Sequence, residues 1–478
     1  MKALTAHEMA VQTGAELLVG ADTIVSGETV IDSRKAAPGA LFVAFKGERS
    51  DGNLYALKAL EAGAAAVVLS DAPGEEAVAY ARDHGCALLR AEGDDCEEFL
   101  LRLAAYERSL HPDWIVAGVT GSVGKTTTKD MLAAALSARY RTHATAGNYN
   151  NLIGMPLTLL NAPTDTEALV LEMGMDGLGQ IDRMTRAARP VLAAITNVGV
   201  SHLMHLKTRE NIARAKAEII AGMEPACGIE PTLAITSAND FTKFIVEQFA
   251  EPAHIRTLTV GSRSDDDVRQ ASLVVHHDAT TQAELAFADG TSFPLDLPIP
   301  GTSSVIDAML ALALARTAGV DAGAAAKALS EMKLTSMRLD VRTTPSGVRV
   351  IDDTYNASPV SMASSLSVLG TMACSGRRIA VLGEMFELGE DELQMHACVG
   401  AYAAALGLDL IVCIGDELGH AIAEGARTVG YSEDALLVFD SVSDALDALV
   451  PVLCEGDVLL AKASRASGLD AFVKGVLA

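Results

Sequence analysis

Gly118-Val119-Thr120-Gly121-Ser122-Val123-Gly124-Lys125-Thr126-Thr127 is the most informative stretch of this 478-residue chain. An apolar run at 115–119 precedes it and a helix-forming run at 125–138 follows, so it reads as a strand, a tight loop and a helix. Glycines let such a loop turn so that successive N–H groups face phosphate oxygens, and the helix N-terminus adds partial positive charge. Gly121, Ser122, Val123, Gly124, Lys125, Thr126 and Thr127 are therefore candidate ATP contacts. Lys125 suits the outer phosphates and the Thr126 hydroxyl suits Mg2+. Two residues, where the usual phosphate loop has four, separate Gly121 from Gly124. A bare Gly-rich turn is the plainer reading of the glycines, but Gly-Lys-Thr-Thr in this setting favours a nucleotide.

The same alternation continues on both sides. Strands are expected at 168–171, 191–197 and 232–236, with helices at 179–188 and 209–221 between them. Nearly continuous apolar strands separated by helices indicate an α/β fold with a mostly parallel sheet covered on both faces. Residues 266–300 differ: short alternating stretches around a turn at Asp289-Gly290 suggest a small antiparallel insertion. A helix at 304–317 follows. From about 338 a second alternation begins, with strands at 348–351, 378–382, 408–413, 436–439 and 458–461, and reads as a Rossmann-like unit. The first 95 residues form a smaller α/β unit, with strands at 40–45 and 65–69 and a helix at 96–109 leading out of it. Three domains are expected: 1–95, 96–337 and 338–478.

Composition narrows the function. Lys plus Arg number 37 against 62 Asp plus Glu, a formal charge of -25. So acidic a chain repels nucleic acid and anionic lipid, and no basic patch offsets it. A phosphorylated substrate is still compatible, because a local lysine, a helix N-terminus and Mg2+ reverse the field. The seven cysteines are scattered and never form C-x-x-C, which argues against metal or disulfide frameworks. The longest apolar runs fall far short of the about 20 residues a membrane span needs. The N-terminus lacks an apolar signal region, so a cytoplasmic protein is expected, most simply a monomer.

The shortened Gly-x-x-Gly-Lys-Thr loop resembles that of the Mur ligases and their folylpolyglutamate synthase relatives. Gly147-Asn148-Tyr149-Asn150-Asn151-Leu152-Ile153-Gly154 is similar to the family segment after the loop. Leu171-Glu172-Met173-Gly174 and Asn197-Val198-Gly199-Val200-Ser201-His202 resemble its metal-binding strand ends. Ala215-Lys216-Ala217-Glu218-Ile219 matches the helix bearing its modified lysine. Asp352-Asp353-Thr354-Tyr355-Asn356-Ala357-Ser358-Pro359 and Val381-Leu382-Gly383-Glu384-Met385-Phe386-Glu387-Leu388-Gly389, followed by His396, resemble the branch that adds D-alanyl-D-alanine. Near the N-terminus, Asp32-Ser33-Arg34, the run 38–44 and Asp51-Gly52 look like a UDP-sugar-binding unit.

The resemblance implies an ATP- and Mg2+-dependent ligase joining a UDP-N-acetylmuramoyl tripeptide to D-alanyl-D-alanine in cell-wall synthesis. It implies catalytic roles for Lys125, Glu172, His202 and Lys216, and a metal set of Thr126, Glu172, His202 and Lys216. Asn151, Asp307, Arg338 and Asp353 would join the loop in holding ATP, and Ser33, Arg34 and Asp51 the UDP-sugar substrate. Lys216 would carry a carbamate, where an unmodified lysine would be a solvated cation. Arg338 could instead pair with a surface carboxylate, and Asp353 could cap the helix near Pro359. Where the family has His-Asn-x-x-Asn, this chain has Thr302-Ser303-Ser304-Val305-Ile306-Asp307, which alters the expected contact to adenine. A sibling ligase for another amino acid, or a catalytically weak nucleotide-binding relative, are the alternatives. The acceptor's third residue, lysine or diaminopimelate, stays open.

Overall fold

In a computed structural model, which describes residues 1–47, 50–276, 278–332 and 336–478, the strand entering the phosphate loop is Ile115–Thr120. It is buried throughout, and its alternating side chains feed two cores. Ile115, Ala117 and Val119 pack with Leu132, Leu136 and Leu310 on one face. Val116 packs with Leu169, Met155 and Met184 on the other. That double burial explains why the strand is apolar at every position rather than at alternate ones.

The central sheet has nine strands. From one edge the order is Ser292–Leu297, Thr281–Phe287, Val268–Val275, Arg256–Gly261, Thr232–Thr236, Leu192–Ile195, Ile115–Thr120, Ala168–Glu172 and Thr142–Ala144. Pairing is parallel from Thr142–Ala144 as far as Val268–Val275, then antiparallel to the edge. The small antiparallel insertion extends this sheet, joined to it through Val260 opposite Val268 and Gly261 opposite Arg269. Its alternation is genuine: Leu285, Phe287, Leu295 and Leu297 face the core between less buried neighbours. The chain leaves Ile115–Thr120 to build strands on one side, then crosses to Leu192–Ile195 on the other. This reversal opens a crevice at the strands' carboxyl ends.

A six-stranded sheet runs Asp340–Thr343, Arg349–Asp353, Val458–Lys462, Arg378–Leu382, Leu410–Ile414 and Leu436–Phe439, parallel except for its first strand. The N-terminal sheet has five strands: Glu16–Val19, Ala87–Arg90, Ala66–Leu69, Leu41–Val43 and Thr29–Val30. Helix Cys96–Ser109, capped by Asp95 accepting from Glu97 and Glu98 N–H, buries Phe99 and Leu100 in a core shared by residues from Met9 to Ile219. The helix expected at 209–221 is α-helical only over Arg209–Ala217 and tightens to a 3-10 turn at Glu218–Gly222. The seven cysteines are free, and no helix among the described residues is long and apolar enough to cross a membrane.

Candidate active site

The crevice is a cavity of about 490 Å³, lined on one side by the phosphate loop and on the other by Arg338, Asp353–Ser358 and Lys462. Gly121 and Gly124 have φ of 152° and 84°, conformations that L side chains rarely adopt. A Cβ on Gly124 would lie 2.6 Å from Asp307 Oδ1, and one on Gly121 would collide with Thr196. No side chain caps helix Lys125–Ser137, so its first-turn N–H groups are left for an anion. Asn197, just past the neighbouring strand, holds the loop: its Oδ1 accepts from Ser122 N–H at 3.2 Å and Val123 N–H at 3.0 Å. Ser122 Oγ in turn accepts from Gly199 N–H at 2.8 Å.

Lys125 is half-buried and donates to Gly121 O at 2.9 Å and Ser122 O at 3.4 Å. Burial lowers its pKa, Arg338 adds to that, and Glu172 opposes it. Thr126 donates its hydroxyl to Glu172 Oε2 at 2.8 Å, and Asn150 Nδ2 donates to Oε1 at 2.8 Å. Glu172 ends its buried strand with its own N–H held by Thr145 Oγ1. These contacts leave hard oxygens of Glu172 and Thr126 side by side in the cavity wall. Mg2+ prefers one or two such donors plus phosphate oxygens and water to an all-protein cage, and the pair fits that preference. Among the described residues no three His, Cys, Asp or Glu side chains form a metal cluster.

Lys216 does not line the cavity. It is 2% exposed, with no ion pair or hydrogen bond to its amine among the described residues. Burial first and Lys125 second push its pKa well below the ordinary lysine value, which favours a neutral amine. His202 lines the cavity with a left-handed φ of 62°. Its pKa is lowered, mainly by burial.

Asp307 is buried against the phosphate loop, where Thr128 Oγ1 donates to it at 3.0 Å. Burial pushes its carboxyl up to about 8. Ser303 Oγ lies 3.0 Å from Ser364 Oγ across the cleft, and Ser304 Oγ donates to Pro300 O just ahead of its helix. Arg338 stacks on Tyr355, 4.2 Å from the ring centroid, instead of pairing with a surface carboxylate. Asp353 does not cap the following helix; Ser358 does. Asp353 accepts instead from Lys462 Nζ and Ser365 Oγ, both at 2.5 Å.

Besides Lys216, the expected contacts Gly121 and Asn151 and the three expected UDP-sugar contacts do not line this cavity. Asn151 Oδ1 accepts from Ile153 and Gly154 N–H ahead of helix Gly154–Leu160, and its neighbours Asn148 and Asn150 line the cavity. Ser33, Arg34 and Asp51 also lie outside that cavity, on the N-terminal unit. Arg34 pairs with Asp32 at 2.7 Å, and Asp51 accepts from Asn53 N–H at 2.9 Å and its Nδ2 at 2.8 Å. Residues given no role from sequence are prominent here: Asn150, Asn197, Tyr355, Glu387 and Lys462. Each stands at the carboxyl end of a strand or in the loop after it, and that position is the signal that could have found them.

Three family models cover most of the chain: the Mur ligase family, catalytic domain, over 28–93; the Mur ligase middle domain over 119–315; and the Mur ligase, glutamate ligase domain, over 337–465. The UDP-N-acetylmuramoyl-tripeptide--D-alanyl-D-alanine ligase of Bacillus subtilis is 37% identical over 461 residues, 95% of this chain and 94% of that protein. Its namesake in Escherichia coli is 32% identical over 96% of this chain and 95% of that protein. Crystal structures of MurF from Acinetobacter baumannii and of MurF from Thermotoga maritima in complex with ADP superpose with TM-scores of 0.87 and 0.78. Both are 28% identical; the first covers 100% of this chain and 99% of its own, the second 94% and 96%. End-to-end likeness in sequence and fold, with the shortened phosphate loop at the sheet's crevice, places the chain in the Mur ligase family.

Proposed function

We propose that the chain is an ATP-dependent amide ligase that joins D-alanyl-D-alanine to the terminal carboxyl of a UDP-N-acetylmuramoyl tripeptide in peptidoglycan precursor synthesis. The observation that supports this most is the cavity, where the phosphate loop faces Arg338 and the Asp353–Ser358 stretch. A carboxylate is a poor acyl donor, so one of its oxygens first attacks the γ-phosphorus of ATP and ADP leaves. The acyl phosphate carries a good leaving group; the dipeptide amine attacks its carbonyl carbon, and phosphate and a proton depart.

Lys125 supplies mobile positive charge for the transferring phosphoryl group once its ammonium turns from Gly121 O to the phosphates. The helix N-terminus would hold the chain of phosphates, while Asn197 takes Ser122 and Val123 N–H and keeps the loop in shape. Arg338 and Asp353 face the nucleotide from the C-terminal unit. Thr126 and Glu172 would hold one Mg2+, and Glu172, His202 and Lys216 another; when bound, the metal neutralises phosphate charge. Lys216 would contribute as a carbamate, its neutral amine adding to CO2 and losing a proton; its burial without a partner supports that role. The N-terminal unit, with Ser33, Arg34 and Asp51, would hold the UDP-sugar. Excluding water from the cleft protects the acyl phosphate from hydrolysis. We read the working form as a cytoplasmic monomer of three domains, 1–95, 96–337 and 338–478.

A substrate panel tests the proposal: ATP, either the lysine or the diaminopimelate tripeptide, and D-alanyl-D-alanine or single amino acids, with products read by mass. Product with the dipeptide alone among the amines supports it. Equal product from a single amino acid overturns it.

A further inference from the structure

The loop Glu384–Gly389 of the C-terminal unit crosses the cleft to meet the turn at His202 on the central unit, and the contact is built from both sides. Glu387 Oε2 lies 2.7 Å from His202 Nδ1, with Asp176 Oδ1 3.6 Å from the same nitrogen; neither has hydrogen-bond geometry as the ring now stands. Met204 N–H donates to Glu387 O at 3.4 Å, and a Cβ on Gly389 would lie 3.4 Å from Met204 Cα. His202 and Glu387 are both non-glycine residues in the left-handed region, with φ of 62° and 65°. Such conformations persist only where the surroundings enforce them. Here the loop is fixed from behind. Buried His396 accepts Met385 N–H on Nε2 at 2.8 Å, its Nδ1–H reaching Glu392 O at 2.7 Å. Ser464 holds the loop twice, donating its N–H to Glu384 O at 2.8 Å and accepting Phe386 N–H at 3.1 Å on Oγ.

We infer that Glu387 is a positioning residue: its carboxylate takes Nδ1–H of His202, fixing the tautomer and the ring so that Nε2 is the nitrogen left for a divalent cation. Nε2 has no protein partner among the described residues, and His202 lines the cavity. Small rotation of the ring converts the 2.7 Å approach into a hydrogen bond. A carboxylate on the distal nitrogen sets the orientation and basicity of a ligating imidazole, and its loss typically weakens metal binding about 10- to 100-fold. The central unit's histidine is thus tuned by a residue on another unit, so the metal site is complete only with the C-terminal unit in place. This rests on the proposed role of His202 in holding Mg2+.

The test is Mn2+ binding to the full-length protein in the presence of ADP, followed by the electron paramagnetic resonance of free Mn2+. Glu387→Ala and Glu387→Gly are expected to weaken binding about 10-fold or more, and Glu387→Gln, which keeps an acceptor oxygen, by less. Glycine accepts a φ of 65° without strain, so the Gly variant folds and separates loss of the carboxylate from loss of the loop. In a His202→Ala background the Glu387 substitutions should change nothing further. Unchanged Mn2+ affinity in the Ala and Gly variants overturns the inference, as does an equal loss in the His202→Ala background. Ligase turnover of the wild type with D-alanyl-D-alanine tests the proposed function separately, since Mn2+ affinity is read without either acceptor.

Discussion

Lys216 and Asp307 show how burial changes what an ionisable side chain can do. A lysine 2% exposed and without a partner among the described residues is costly as an ammonium, and the fold tolerates it because the amine is held toward its neutral form. If that amine becomes a carbamate beside Mg2+, Lys216→Arg substitutes a permanent cation and should be inactive. Lys216→Ala should be inactive too but partly rescued by formate or acetate; an active Arg variant, or no rescue in a folded Ala variant that binds ATP, contradicts the role. Asp307 runs the other way, its carboxyl pushed up to about 8 from 3.8 by burial. Between those values the folded chain keeps a proton that the unfolded chain has released, so stability falls as pH rises through the window. Asp307→Asn keeps an acceptor for Thr128 and removes the ionisation. In denaturant titrations it should gain at least about 1 kcal/mol on the wild type between about pH 5 and pH 8. Parallel pH profiles would show that Asp307 does not titrate in that range.

The phosphate loop was legible in the sequence because its glycines, lysine and threonines are contiguous and each is demanded by local geometry. Gly124→Ala tests that demand: it places a Cβ at φ 84° and 2.6 Å from Asp307 Oδ1. The variant should lose about 1–3 kcal/mol of stability and bind ADP at least about tenfold more weakly by calorimetry. Wild-type ADP affinity would mean the loop does not cradle phosphates. Strands with a full apolar run, such as Ala168–Glu172 and Val458–Lys462, were equally legible. Thr142–Ala144 and Arg256–Gly261 were not, because their polar, half-exposed positions break the apolar signal. The antiparallel strands were visible as alternation, but nothing local announces that Val268 pairs with Val260 to join them to the main sheet. The same limit hid Asn197 and Glu387, whose partners Ser122 and His202 are distant in sequence. Adjacent asparagines look alike in a motif, and only the fold shows that Asn151 accepts from Gly154 N–H while Asn150 reaches Glu172.

Across the molecule, a chain of net charge -25 concentrates Lys125, Arg338 and a helix N-terminus around one cavity, which in the proposed function would receive a polyanionic nucleotide. The central unit supplies most of that wall and the C-terminal unit the rest, so the proposed catalysis belongs to their junction and not to either sheet. The ligase chemistry proposed there leaves an isotopic record. With the tripeptide's terminal carboxyl labelled with 18O, an acyl phosphate passes one carboxyl oxygen to the released phosphate and keeps the other in the new amide. Mass analysis of both products should find one label in phosphate for each D-alanyl-D-alanine joined, with phosphate release requiring tripeptide and dipeptide together. Label retained wholly in the peptide, or ATP hydrolysed at the same rate without the dipeptide, would contradict the account.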